Sequence, residues 1–110
     1  MAFFLIQFTY DDDAIGNLVK NPQDRSVQAQ AVAESFGGKM HQFFFAFGDY
    51  DGVGIAEFPD TESMAACSLY LGSTGAFDTM KTTLLIDPAE GLAAMKRANS
   101  TQTGYKPPTG

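Results

Sequence analysis

Apolar and polar positions along the 110 residues follow two periods in turn, and the switches between them mark the elements. Residues 2–10, Ala-Phe-Phe-Leu-Ile-Gln-Phe-Thr-Tyr, are dense in aromatic and branched side chains. They predict a first strand, closed by Asp11-Asp12-Asp13 as a solvated loop. Residues 14–20 leave room for a short helical turn before Asn21-Pro22, because the residue ahead of a proline is pushed out of the α region. From Asp24 the period lengthens. Ala29, Val32, Ala33 and Phe36 recur at i, i+3, i+4 and i+7, with Gln30 and Glu34 opposite and Gly37-Gly38 as the stop, which predicts an amphipathic helix. Residues 39–47 and 53–58 read as two strands of a hairpin across Gly48-Asp49-Tyr50-Asp51-Gly52. Asp60 is placed to cap a second helix that ends around Gly72 and Gly75. Residues 77–86 supply a fourth strand, and Pro88 opens a last helix reaching about residue 98.

The order β, α, β, β, α, β plus a terminal helix predicts an α+β, ferredoxin-like plan with a four-stranded antiparallel sheet. Both main helices then lie on one face of the sheet, and the strands should alternate apolar with polar if water covers the other. Phe43-Phe44-Phe45-Ala46-Phe47 and Phe3-Phe4-Leu5-Ile6 instead send large apolar groups to both faces. Three phenylalanines on the uncovered face, at roughly 150 Å² each and about 25 cal/mol per Å², represent on the order of 10 kcal/mol before association costs. A sheet-on-sheet homodimer or larger assembly is the expected consequence. The alternative is that the runs are twisted or bulged, or that the C-terminal helix swings across and covers that face within the protomer.

Composition narrows the partners. Seven basic against thirteen acidic residues give a net charge of -6, a field that repels phosphate backbones and anionic lipid heads. Nucleic acid and membranes are therefore not expected partners. The basic and glycine framing of an RNA-binding aromatic motif is also missing around Phe43 to Phe47. Neither a signal-peptide pattern nor a spanning apolar run is present, so a cytoplasmic location is expected. Cys67 is the single cysteine, which rules out an internal disulfide and a cysteine zinc site. The chain reads as one domain over residues 1–98 with a loose or arm-like tail over 99–110.

Several segments, in order, carry a resemblance: Phe8-Thr9, Ile15-Gly16-Asn17 with Pro22 and Arg25, Gly37-Gly38-Lys39, Gly48-Asp49-Tyr50-Asp51, Pro59-Asp60, and Leu71-Gly72-Ser73-Thr74-Gly75. Over residues 3 to about 87 the chain resembles the GYD-domain family of the dimeric α+β barrel superfamily. The resemblance implies a ferredoxin-like protomer and sheet-to-sheet pairing. It brings no settled activity. Gly16 and Asp78 stand where it leads one to expect basic side chains, so no anion-binding role is carried over. The wider superfamily includes cofactor-poor monooxygenases, lactone isomerases, haem-degrading enzymes and small-molecule-binding modules, and one fold hosts many functions.

His41, the only histidine, is a candidate acid, base or ligand-binding group, weighed against a structural imidazole. Tyr50 and Asp51 in the hairpin offer a phenol donor and a carboxylate acceptor for a pocket mouth, weighed against ordinary turn chemistry. Tyr10 at the end of the first strand completes the set Tyr10, His41, Tyr50 and Asp51 as candidate ligand-binding residues. Asp11 to Asp13 lack the glycine and final glutamate of a calcium loop, and residues 71–75 read as a helix end and turn, so no metal or cofactor is expected. Cys67, Met64, Met80 and Met95 read as core fillers. The leading expectation is a homo-oligomeric domain binding a small apolar or aromatic ligand in an apolar pocket. The alternatives are a structural or regulatory assembly module without a site, and a cofactor-independent monooxygenase or isomerase. Whether the protein is an enzyme is left open by the sequence.

Overall fold

In the structure, a computed structural model describing residues 2–109, eight elements follow in chain order. They are β1 (Ala2–Tyr10), α1 (Asp12–Lys20), α2 (Ser26–Ser35), β2 (Lys39–Phe45), β3 (Gly52–Phe58), α3 (Thr61–Ser73), β4 (Phe77–Leu85) and α4 (Pro88–Ser100). The strands form one antiparallel sheet in the order β2-β3-β1-β4, the ferredoxin-like arrangement. Helix starts obey local chemistry. Asp11, Asp60 and Asp87 each accept a hydrogen bond from the backbone N–H three residues on, at 2.8 Å, and Pro88 occupies the first turn of α4.

One of these caps changes the reading of the acidic run. In place of the expected loop over Asp11 to Asp13, Asp11 caps α1, and Asp12 and Asp13 sit in its first turn, where negative charge meets the positive end of the helix dipole. The short turn expected at residues 14–20 is accordingly a full helix.

The core lies between the sheet and α2 and α3. Phe4, Ile6 and Phe8 of β1 and Gly52, Gly54, Ala56 and Phe58 of β3 face the helices, with Ala33 of α2 and Met64 and Cys67 of α3 closing over them. Phe58 is 1% exposed and meets Phe4 edge-on, with ring centroids 6.2 Å apart. The small residues of β3 make room for large neighbours: a methyl group added at Gly52 would run into the Phe8 ring.

A bulge sets the facing of β2. Met40 pairs with Ala56 and Gln42 with Ile55, so His41 is an extra residue. Beyond it, Phe43 and Phe45 face the helices and Phe44 faces away. The face opposite the helices carries an apolar diagonal of Leu85, Phe3, Leu5, Ile55, Val53 and Phe44. Polar residues such as Gln7, Lys81, Gln42 and Lys39 flank it. Phe3 is 42% and Phe44 57% exposed, so nothing in the protomer covers this band.

The C-terminal helix does not supply that cover, since α4 buries none of its residues. Met95, expected to fill the core, is 70% exposed there. Strand β2 stops at Phe45, and Phe47, expected within it, is 99% exposed. The radius of gyration is 18.0 Å, against about 13 Å for a compact chain of this length, and the extents are 59 × 37 × 23 Å. The tail after Ser100 carries no regular structure over residues 101–109.

Candidate functional site

Two connected clefts lie on the helix side of the sheet. The larger, about 600 Å³, runs between α2 and α3 over a floor that includes Ile6, Phe8 and Met80. The smaller, about 410 Å³, opens beside the start of α2 and the β2–β3 connection. Phe8, Tyr10, Arg25 and Phe43 line both, and both volumes fall in the range of small-molecule sites.

The shared wall is aromatic. Phe8 meets Tyr10 edge-on at 5.1 Å and Phe77 edge-on at 5.2 Å, and stacks on Phe43 at 6.0 Å, while Tyr10 stacks on Phe77 at 5.5 Å. A second irregularity, where β1 and β4 shift register between Thr9 and Tyr10, brings Tyr10 opposite Phe77.

Polar groups gather at one end of this wall. Asp51 ties the hairpin to β1 twice: its backbone N–H donates to the Phe8 carbonyl at 2.8 Å, and its Oδ2 accepts from the Tyr10 N–H at 2.9 Å. Arg25 immediately precedes α2 and donates from Nη1 to Gln23 Oε1 at 2.9 Å. Asp24 accepts from the Ser26 N–H at 2.8 Å and so fixes the start of that helix. Burial pushes the Tyr10 phenol above its ordinary value. The Arg25 guanidinium, by its charge and by donating to the hydroxyl, pulls it partly back, and the Asp51 carboxylate adds a smaller upward push.

Of the four residues singled out from sequence, Tyr10 and Asp51 thus meet in one cleft. Tyr50 is half-buried in the hairpin connection and lines neither cleft. His41 stands on the opposite face of the sheet, where its Nε2 lies 2.8 Å from Glu57 Oε1 and its ring 5.3 Å from that of Phe3. It shares that face with Lys39, two residues earlier on the strand, and no composition signal reveals it. Arg25, Gln23 and Phe45 are the cleft residues that site reasoning from sequence passed over. The available signal was position, since Arg25 is the only basic residue between Lys20 and Lys39 and directly precedes the amphipathic pattern. Among the described residues no group of three metal-ligating side chains converges, and no helix is long and apolar enough to cross a membrane.

A four-stranded antiparallel sheet in this order, with a cleft under its helices, defines a protomer of the ferredoxin-like α+β class. Within that class the chain belongs to the GYD domain family, which it matches over residues 4–95. It is 32% identical over 96 residues to a Thermus thermophilus protein named glutamine synthetase and cystathionine beta-lyase binding protein, covering 87% of this chain and all of that one. Among solved structures, a transcriptional regulator from Neisseria meningitidis in complex with L-Met is similar in fold, with a TM-score of 0.55 and 14% identity over 79% of this chain. The present chain spans about half of that regulator, 51% of its length. The protein TTHA0845 from Thermus thermophilus is likewise similar, with a TM-score of 0.51 and 17% identity, over 79% of this chain and 95% of that one.

Proposed function

We propose that the protein is a homo-oligomeric domain that binds a small molecule in the cleft between its sheet and α2 and α3. The observation that carries this reading is the aromatic wall of Phe8, Tyr10, Phe43 and Phe77 with Tyr10, Arg25 and Asp51 converging at one end. A largely apolar cleft with few oriented polar groups is the usual makeup of a ligand site. Burial also raises the Cys67 thiol, which lines the larger cleft.

Self-association rests on the bare apolar diagonal of the sheet and on α4, a helix that buries none of its own residues. Native mass spectrometry of protein purified from its host, together with a cleft-filling Ala29→Phe variant, tests the site. A retained small molecule that the variant loses is the expected result. No bound molecule, and no response of either protein to a panel of small aromatic and lactone-like compounds, would refute it.

A second reading, a regulatory module that binds other proteins, is favoured by the name of the Thermus relative. Titration against purified glutamine synthetase and cystathionine β-lyase separates the two readings. Complex formation that survives the Ala29→Phe substitution supports this second one.

A further inference from the structure

We propose that the cleft takes a free α-amino acid with an apolar or aromatic side chain, its carboxylate on Arg25 and its ammonium on Asp51. This rests on reading the cleft as a ligand site. Arg25 and Asp51 line the same cleft, yet the only ion pair among the described residues is His41 with Glu57. Two opposite charges that face one space without pairing are the complement of a zwitterion.

Each has capacity to spare. Arg25 carries five N–H donors in a fixed fork that suits a carboxylate, of which Gln23 takes one through Nη1 and the Tyr10 hydroxyl engages another. Asp51 uses Oδ2 for the Tyr10 N–H, which leaves Oδ1 for a second donor. Asp24 lines the same cleft, but it is exposed, where solvent screens its charge, and its Oδ1 accepts from the Ser26 N–H, so the recognition falls to the other two.

The balance of charge argues against half of that ligand. A simple carboxylic acid would meet Arg25 but also the Asp51 carboxylate, and a simple amine would meet the reverse. The zwitterion satisfies both and adds no net charge. Its side chain then runs along Phe8 and Phe43 toward the larger cleft, whose lining is mostly apolar and suits an apolar or aromatic tail.

The test is titration calorimetry of the full chain with L-phenylalanine, 3-phenylpropionate, which lacks the ammonium, and phenethylamine, which lacks the carboxylate. Each missing charged contact is expected to weaken binding by about tenfold or more. Asp51→Asn keeps an acceptor for the Tyr10 N–H while removing the charge. It should bring L-phenylalanine down to the affinity of 3-phenylpropionate. Arg25→Gln should bring it down to that of phenethylamine, with circular dichroism checking that both variants are folded.

If 3-phenylpropionate or phenethylamine binds the wild type as tightly as L-phenylalanine, the zwitterion proposal is overturned while the cleft reading stands. If none of the three binds, the proposal also falls. The retained-molecule experiment with Ala29→Phe then decides the cleft reading separately.

Discussion

Replacing Phe44 by lysine separates assembly from folding. Phe44 is 57% exposed at the end of the apolar diagonal. With roughly 200 Å² of side-chain surface, it holds on the order of 115 Å² open for a partner. At about 25 cal/mol per Å² that amounts to ~3 kcal/mol per protomer at full burial. A two-fold interface counts it twice, so the loss approaches ~6 kcal/mol, or about four orders of magnitude in dissociation constant.

The lysine stem still covers Val53 across the strand pair, so the protomer itself should lose little. Lysine at an edge strand also blocks adventitious pairing. Sedimentation equilibrium at micromolar concentration should find the wild type associated and Phe44→Lys monomeric, with near-equal far-ultraviolet spectra. A Phe44→Lys variant that sediments with the wild type would show that the partner does not sit on this face. A wild type that is monomeric throughout would remove the assembly altogether.

Four further outcomes follow from the same geometry. Gly52→Ala drives a methyl group into the Phe8 ring and should cost about 1–3 kcal/mol in urea unfolding, with ligand response lost because Phe8 floors both clefts. Cys67 is 3% exposed and its thiol is raised by burial, so a thiol reagent should modify the native protein slowly and the urea-unfolded protein at once; rapid native labelling would contradict the packing of α3. Asp24 and Asp60 are held below the ordinary aspartate range by hydrogen bonds from Ser26 and Ser63, so their contribution is complete above about pH 4 and is lost as pH falls through the depressed values. The melting temperature should drop on that acid limb, and Asp60→Asn, which can still cap α3, should flatten part of the drop. Deleting His41 removes the extra residue of the bulge, so it should leave the cleft intact and cost no more than the small worth of an exposed pair with Glu57; an unfolded deletion variant would mean that the bulge is read wrongly.

Element identity was legible wherever a local rule acts alone. Asp60 and Pro88 mark helix starts because a cap needs one acceptor and a first turn tolerates a missing N–H, conditions met within a few residues. The Ala29, Val32, Ala33, Phe36 pattern gave α2 because one face of that helix is packed against the sheet. Met95 was misplaced for the opposite reason. An apolar residue on a helix signals burial only if something lies opposite it, and within the protomer nothing does.

The candidate site was half legible, and the division of the β2 phenylalanines between the two faces is a question of phase. Along β2, strict alternation from Lys39 would place Phe44 with Met40 on the helix side and send Phe43 and Phe45 to the bare face. The single extra residue at His41 reverses this. Two rings enter the cleft and one faces away, while the histidine that composition made conspicuous lies on the far face in either phase. Tyr10 and Asp51 were recoverable because β1 and the hairpin connection meet whatever the phase of β2, through the hydrogen bond that Asp51 donates to the Phe8 carbonyl and the one it accepts from the Tyr10 N–H. Arg25 depends on neither strand, since its place is set by the start of α2 over the open end of the sheet. On the proposed function the bulge divides one run of phenylalanines between a ligand cleft and an assembly surface, and substitutions at Phe43 and Phe44 should then fail in different assays although the residues are adjacent in sequence.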